Sequence, residues 1–239
     1  MNKTRQRFSN APRVLNSWSV RKKNVYLNSF NSLQIYIEMH IPLENGSCYH
    51  IYNRGNNSDD IFYENENYHY FLRLYEKYID PIAETFAWCL LKNHFHILVY
   101  IKTDSEIHKD QLSYSTVEKP KVISASKQFS HFFNAYTQSI NKRHNRTGSL
   151  FEKNFERKLV QSEDYFRRLI YYIHNNPVHH GITNTMEEYP WSSFGSLLSL
   201  KPTKLEKHRV IQLFETVENF KYFHSISQNL DPISNLIIE

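Results

Sequence analysis

"ETFAWCLLKNHFHILVYIK", residues 84–102, decides how this 239-residue chain folds. The stretch is dense in aromatic, aliphatic and β-branched residues and is divided once, at Lys92-Asn93. Such residues pack well on a pleated surface, and a short polar break between two runs of them reads as a hairpin. The spacing predicts strands over 84–91 and 94–101. In the second, His94 and His96 alternate with Phe95 and Ile97. Successive strand side chains point to opposite faces, so the two imidazoles share a face with Cβ atoms roughly 7 Å apart, while Phe95 and Ile97 point into a core. Two imidazoles on a rigid strand supply half of a divalent-metal site. The same pair also reads as ordinary polar residues on the outer face of a sheet.

The elements around this hairpin set its context. "SCYHIYN", 47–53, alternates, with Cys48, His50 and Tyr52 on one side and Tyr49 and Ile51 on the other. Turn formers at 56–60 end that strand. "NENYHYFLRLYEKYI", 65–79, places Tyr68, Phe71, Leu72, Tyr75 and Ile79 at helical spacing and stops at Asp80-Pro81. Residues 103–120 read as a loop. A second helix is predicted over 124–141, burying Phe129, Phe132, Phe133, Tyr136 and Ile140, and a fourth strand over 154–160. Ser162 suits an N-cap, with Glu163 and Asp164 in the first turn of a helix that should stop near Asn175, ahead of Pro177.

The order strand, helix, strand, strand, helix, strand, helix predicts an α+β fold. It is the ferredoxin-like βαββαβ arrangement, one antiparallel sheet with helices on one face and the other face left for a ligand. Residues 1–45 read as a basic N-terminal extension, 46–200 as the main domain, and 201–239 as a separate C-terminal helical appendage.

Hydrophobic residues make up 40% of the chain, enough for a packed core, and the formal net charge of +5 suits a polyanionic partner. Cys48 and Cys89 are too few for a disulfide framework and read as core residues in a reducing compartment. Neither a membrane span nor a secretory leader is expected, which places the protein in the cytoplasm. Residues 1–37 carry seven Lys or Arg and no acid. That stretch reads as a solvated tail, or as an extension ahead of a second start at Met39, in preference to a basic nucleic-acid arm or a transit peptide. A second basic block, 119–158, sets nine Lys or Arg against Glu152 and Glu156 and interleaves aromatics. Cations neutralise phosphates and rings stack on bases, so the block suits single-stranded or hairpin nucleic acid, although most of its aromatics should be core. Candidate contacts are Arg54, Lys127, Lys142, Arg143, Arg146 and Arg157. His174, His179 and His180 read as surface residues, and Trp191 as core.

On a third helix, Tyr172 and Asn176 are four apart and share a face. Tyr171 is a rival to Tyr172, about 100° away around the helix. "NHFHILV", 93–99, resembles the histidine-hydrophobe-histidine (HUH) motif of single-tyrosine HUH transposases. "YYIHNNPVHHGI", 171–182, followed by "YPWSS", 189–193, resembles the tyrosine-helix signature of their REP-associated tyrosine transposase branch. "YNRGNN", 52–57, and "RTGSLFEKNFERKLV", 146–160, resemble the same branch in order and spacing. The likeness spans about 46–195.

The resemblance implies a nucleophile at Tyr172 and a divalent cation, Mg²⁺ or Mn²⁺, on His94, His96 and Asn176. It implies attack on single-stranded or hairpin DNA that leaves a 5′-phosphotyrosyl enzyme, and a monomer or homodimer in a bacterial cytoplasm, associated with the nucleoid. Two positions depart from the wider pattern. Asparagine stands at 176 where insertion-sequence relatives typically carry glutamine, and Lys92 stands where a proline usually precedes the asparagine of the histidine motif. A non-catalytic DNA-hairpin or RNA-binding protein on the same scaffold is the alternative, because an open four-stranded sheet can stack bases.

Overall fold

The computed structural model describes residues 42–107, 124–152 and 154–236. The N-terminal extension up to residue 41 and most of the loop expected over 103–120 lie outside the described residues. In chain order the elements are β1 (Cys48–Arg54), α1 (Asn65–Tyr78), β2 (Ala83–Leu91), β3 (His94–Ile101), α2 (Ala125–Arg143), β4 (Glu156–Leu159) and α3 (Glu163–His179). Short helices α4 (Phe194–Leu198), α5 (Lys207–Leu213) and α6 (Val217–Ser225) follow, and a 3-10 segment (Asp231–Leu236) comes last. The strands lie in the order β2-β3-β1-β4, every neighbour antiparallel. This is the βαββαβ sheet read from the sequence. Among the described residues no helix is long and apolar enough to cross a membrane.

Alternation along the strands divides the core in two. Tyr49 and Ile51 of β1 and Phe95, Ile97 and Val99 of β3 face α1 and α2, where they pack with Phe71, Phe129, Phe132 and Tyr136. Full burial of each such side chain stabilises the fold by about 1.5–3 kcal/mol, so this layer is its main anchor. The hydroxyls of Tyr136 and Tyr49 are satisfied, the first donating to the Ile61 carbonyl at 2.7 Å and the second to the Pro42 carbonyl at 3.1 Å. At the end of β1, only glycine fits position 55. A Cβ there would stand 1.8 Å from the carbonyl oxygen of Asp59, where the chain turns back on itself.

The opposite face is covered in part. Phe166, Leu169, Ile170 and Ile173 recur at helical spacing along α3 and bury against Cys48, Ala87, Cys89 and Leu98. The expectation of an uncovered second face therefore holds only towards β1 and β4. The open part lies near Tyr52, Arg54, His94 and Lys158, which line two clefts of about 310 and 390 Å³. The described part of 201–239 is helical, and it shares this second core rather than standing apart. Val210, Phe214, Phe220 and Ile233 pack into it. Leu205 bridges to Thr85 of β2, and Arg209 pairs with Glu84.

One boundary differs from expectation. α3 runs through Pro177 to His179 instead of stopping at Asn175. Proline removes a single donor, and it falls in the last turn, where the backbone beyond it is well held. Ile182 N donates to Pro177 O at 2.8 Å and Gly181 N to Val178 O at 3.0 Å, with Gly181 at φ +65°. That is a Schellman ending, and it needs a residue at ease in the left-handed region. The consequence is that Asn176 stays in helical register with Tyr172.

Candidate metal and nucleophile site

The antiparallel register brings four site-face residues together. Tyr52 lies opposite His96, and Arg54 opposite His94, at the adjoining ends of β1 and β3. α3 then lays Tyr172 over the same strands. The Tyr172 ring is 5.3 Å from the His96 ring, centroid to centroid, and the His94 and His96 rings are 5.2 Å apart. Asn176 joins through Tyr172, donating Nδ2–H to its carbonyl at 3.2 Å. Its amide also lies near the His94 ring, where it offsets a small part of the fall that burial imposes on that ring's pKa. The four residues singled out by sequence are thus brought to one place. Tyr171 is not part of it. It turns to the C-terminal helices, its ring 6.2 Å from Phe223 and 5.7 Å from His224.

Burial sets the electrostatics. Desolvation, then the nearby His180, depress the pKa of His94 to about 4. His96 falls well below its ordinary value through burial, with His50 and His94 adding to the shift. Both rings are therefore neutral near pH 7, which is the form that ligates metals. His94 Nδ1 stands 2.7 Å from Asn93 Oδ1. An amide oxygen only accepts, so Nδ1 carries the proton and Nε2 keeps a lone pair. Tyr52, beside them, is raised well above the phenolic range by burial, then by Glu156 and Tyr172.

The side chains fit a small divalent cation. His96 Nε2 and Asn176 Oδ1 are buried, and among the described residues neither meets a hydrogen-bonding partner. An orphaned buried polar atom costs about 1–3 kcal/mol, so two of them, one on a ring packed against Tyr172 and one on an amide bonded to its carbonyl, call for a partner. Two imidazole nitrogens and an amide oxygen could hold a divalent cation, the amide oxygen and water favouring Mg²⁺ or Mn²⁺ and the imidazoles also admitting Zn²⁺. Among the described residues no three His, Cys, Asp or Glu side chains gather as a metal site, so the set depends on the amide of Asn176.

The candidate DNA contacts divide by position. Arg54 lines both clefts beside His94. Arg143 and Arg146, near the end of α2, pair with Glu64 and with Asp59 of the loop after β1. Lys142 is exposed on the same turn. Lys127 is fifteen residues before Lys142 on α2, hence about 22 Å along the helix at 1.5 Å per residue, well removed from that cluster. Arg157 faces away from the histidines. It pairs with Ile51 in register, on the α1–α2 side, and lies 4.9 Å over the Phe155 ring. Its neighbour Lys158 pairs with His50 and lines the site-side cleft.

Three further findings concern histidines and Trp191. His174 is buried, against the surface position expected for it. Its Nδ1 is 3.1 Å from His224 Nε2 and its Nε2 is 2.8 Å from Ser193 Oγ. His179 and His180 are exposed as expected, and the His180 ring lies 5.2 Å from that of His94. His50 was missed as a site residue, although it is buried 3.0 Å from His96. Strand alternation did place it with Tyr52, but only the pairing register shows which β3 residue it meets. Trp191 is partly buried, stacked 4.4 Å from Tyr68 at the edge of the first core.

A ferredoxin-like sheet with a His-x-His strand set against a tyrosine-bearing helix is the arrangement implied by the resemblance to single-tyrosine HUH transposases. Comparison with known proteins gives two likenesses. No family model matches. The chain is similar to a curated Haemophilus influenzae protein carried under the name of a proposed REP-associated tyrosine transposase, 23% identical over 112 residues. That match covers 46% of this chain and 58% of the relative, little more than half its length. A solved structure of a REP-associated tyrosine transposase bound to a REP hairpin superposes with a TM-score of 0.48 at 16% identity, over 68% of this chain and 87% of that one.

Proposed function

We propose that this protein is a transposase-type endonuclease and strand transferase acting on single-stranded or hairpin DNA. The observation that carries the reading is the meeting of Tyr172 with His94, His96 and Asn176, where His96 Nε2 and Asn176 Oδ1 are buried without a hydrogen-bonding partner among the described residues. His94 and His96 would hold a divalent cation through Nε2, and Asn176 through Oδ1. When bound, such an ion supplies a positive charge that makes a phosphate a better electrophile.

The residues of the chain do the rest. Arg54, beside His94, and Lys158 offer the cations that seat a phosphodiester in the clefts. The Tyr172 oxygen attacks phosphorus, its proton is lost, and the 3′-oxygen leaves as a hydroxyl. A new P–O bond to tyrosine replaces the broken one, so the linkage energy is kept and a second 3′-hydroxyl can reverse the step on another strand. The packing of α3 on the sheet holds Tyr172 in place, which removes orientational freedom before reaction.

One observation favours a second reading, a hairpin-binding protein that cuts nothing. Tyr172 is only 6% exposed, so a substrate must displace its neighbours to reach it. A denaturing gel of the full chain with labelled hairpin DNA and Mn²⁺ separates the two. An adduct that persists in Tyr171→Phe and vanishes in Tyr172→Phe supports the nuclease. Tight binding without any adduct supports the binder, and preference for an RNA hairpin points away from both.

A further inference from the structure

We infer that His50 is a positioning residue for this site, fixing both the ring of His96 and the nitrogen on which His96 carries its proton. The inference rests on the reading of His94, His96 and Asn176 as metal ligands, and extends it to a residue on a different strand.

The two rings are stacked, 5.1 Å apart and 27° from parallel, with His50 Nε2 3.0 Å from His96 Nδ1. Both side chains are almost wholly buried, at 0% and 2% exposure. Tyr52 packs 5.1 Å from His50 and 6.1 Å from His96, and Tyr172 stands 6.2 and 5.3 Å from them. Enclosed in this way, neither imidazole can turn without displacing an aromatic neighbour.

The hydrogen bond between the two imidazoles holds one proton, so one ring must donate. If His50 donates, His96 carries its hydrogen on Nε2, a buried donor with no acceptor among the described residues. If His96 donates through Nδ1, its Nε2 presents a lone pair. Either arrangement leaves one atom unsatisfied in the protein alone. Only the second is relieved by a cation, and only the second makes His96 a ligand. Metal-ligating histidines generally donate their other ring N–H to a carboxylate, a carbonyl or water, which fixes the tautomer and raises basicity. Here the acceptor is His50. His94 shows the same logic with a different partner, since its Nδ1 meets Asn93 Oδ1. Each proposed imidazole ligand is thus oriented from Nδ1 by a polar side chain.

The test compares His50→Gln with His50→Met in the full chain. Glutamine sets an amide oxygen close to the position of the imidazole Nε2 and still accepts from His96. Methionine has similar length and volume but lacks a strong acceptor. Mn²⁺ affinity is followed by electron paramagnetic resonance, and the Co²⁺ visible spectrum reports ligand geometry. Folding is checked by circular dichroism, with His50→Leu as the substitute should the methionine variant not fold. The expected result is a loss of Mn²⁺ affinity of about 10–100-fold in the variant without an acceptor, with a shifted Co²⁺ spectrum, and near-normal values in His50→Gln. Equal weakening in both variants, or normal affinity in the folded apolar variant, overturns the role of His50. Failure of the unaltered chain to bind Mn²⁺ is a separate outcome. It removes the metal reading itself, and this inference with it.

Discussion

Asn176 is tethered to Tyr172. Its Nδ2–H donates to the Tyr172 carbonyl one turn earlier at 3.2 Å, which leaves Oδ1 as a buried acceptor with no donor among the described residues. Asparagine therefore has a use here that a longer glutamine would not serve in the same way. The tether fixes the rotamer, so the carbonyl oxygen is held in place rather than left to search.

That arrangement predicts a separation of stability from metal binding in Asn176→Leu. A lone buried acceptor costs about 1–3 kcal/mol when nothing meets it. Removing it should leave the metal-free protein as stable as before, or more stable by about 1 kcal/mol. The same change should weaken Mn²⁺ binding at least tenfold and abolish the DNA adduct. Thermal melts and a Mn²⁺ titration check both halves. A large drop in metal-free stability would instead make the amide a structural element.

The faces of β4 predict which basic residue meets DNA. Lys158 lies on the histidine face and Arg157 on the other. A lysine that contacts one phosphate contributes about one unit to the slope of log affinity against log salt. Lys158→Ala should therefore weaken hairpin binding and reduce that slope by about one, while Arg157→Ala should leave the slope unchanged. Binding isotherms at three salt concentrations distinguish them. Equal effects would place the nucleic acid across the sheet edge rather than on the site face.

The fold was legible because its signals are local. His94 and His96 alternating with Phe95 and Ile97, a polar break at Lys92-Asn93 and helical stripes at 65–79 and 124–141 are each read from neighbours a few residues apart, although every residue of 94–101 is buried because α3 covers part of the second face. The four proposed site residues were found by spacing together with motif resemblance. What escaped notice depends on register or on distant packing. His50 and Lys158 acquire meaning only once β1 is aligned with β3 and β4. His174 looked like a surface residue because its partners are nineteen and fifty residues away, at Ser193 and His224. Pro177 suggested a helix end because the Schellman closure that tolerates it lies beyond it.

The buried histidine pair outside the site predicts how the protein responds to acid. His224 Nδ1 donates to the Phe220 carbonyl at 2.8 Å, so its Nε2 must accept from His174 Nδ1. The Ser193 hydroxyl then donates to His174 Nε2 and accepts from the Trp88 N–H at 2.9 Å. Every proton in this chain of bonds is placed by its neighbour: one added on His224 Nε2 would face His174 Nδ1–H, and one added on His174 Nε2 would have to turn the Ser193 hydroxyl round. Burial accordingly depresses His224 to about 4, and burial followed by His224 depresses His174 well below its ordinary value. In the unfolded chain both titrate near 6.5. Between those limits the unfolded state binds more protons, so stability is intact above about pH 6.5 and falls as pH drops towards 4. His224 alone accounts for about 3 kcal/mol over that window, at 1.36 kcal/mol per unit. Asp80, raised to about 6 chiefly by burial, opposes the trend, because its folded form holds a proton more firmly. The contribution of the pair is therefore read by difference. Urea midpoints at pH 7 and pH 5 should fall steeply for the natural chain and less steeply for the double variant His174→Phe, His224→Leu. Parallel slopes would show that the pair does not govern acid sensitivity. A steeper fall for the natural chain ties its acid sensitivity to the histidine contact between α3 and α6, which lies behind the helix that carries Tyr172.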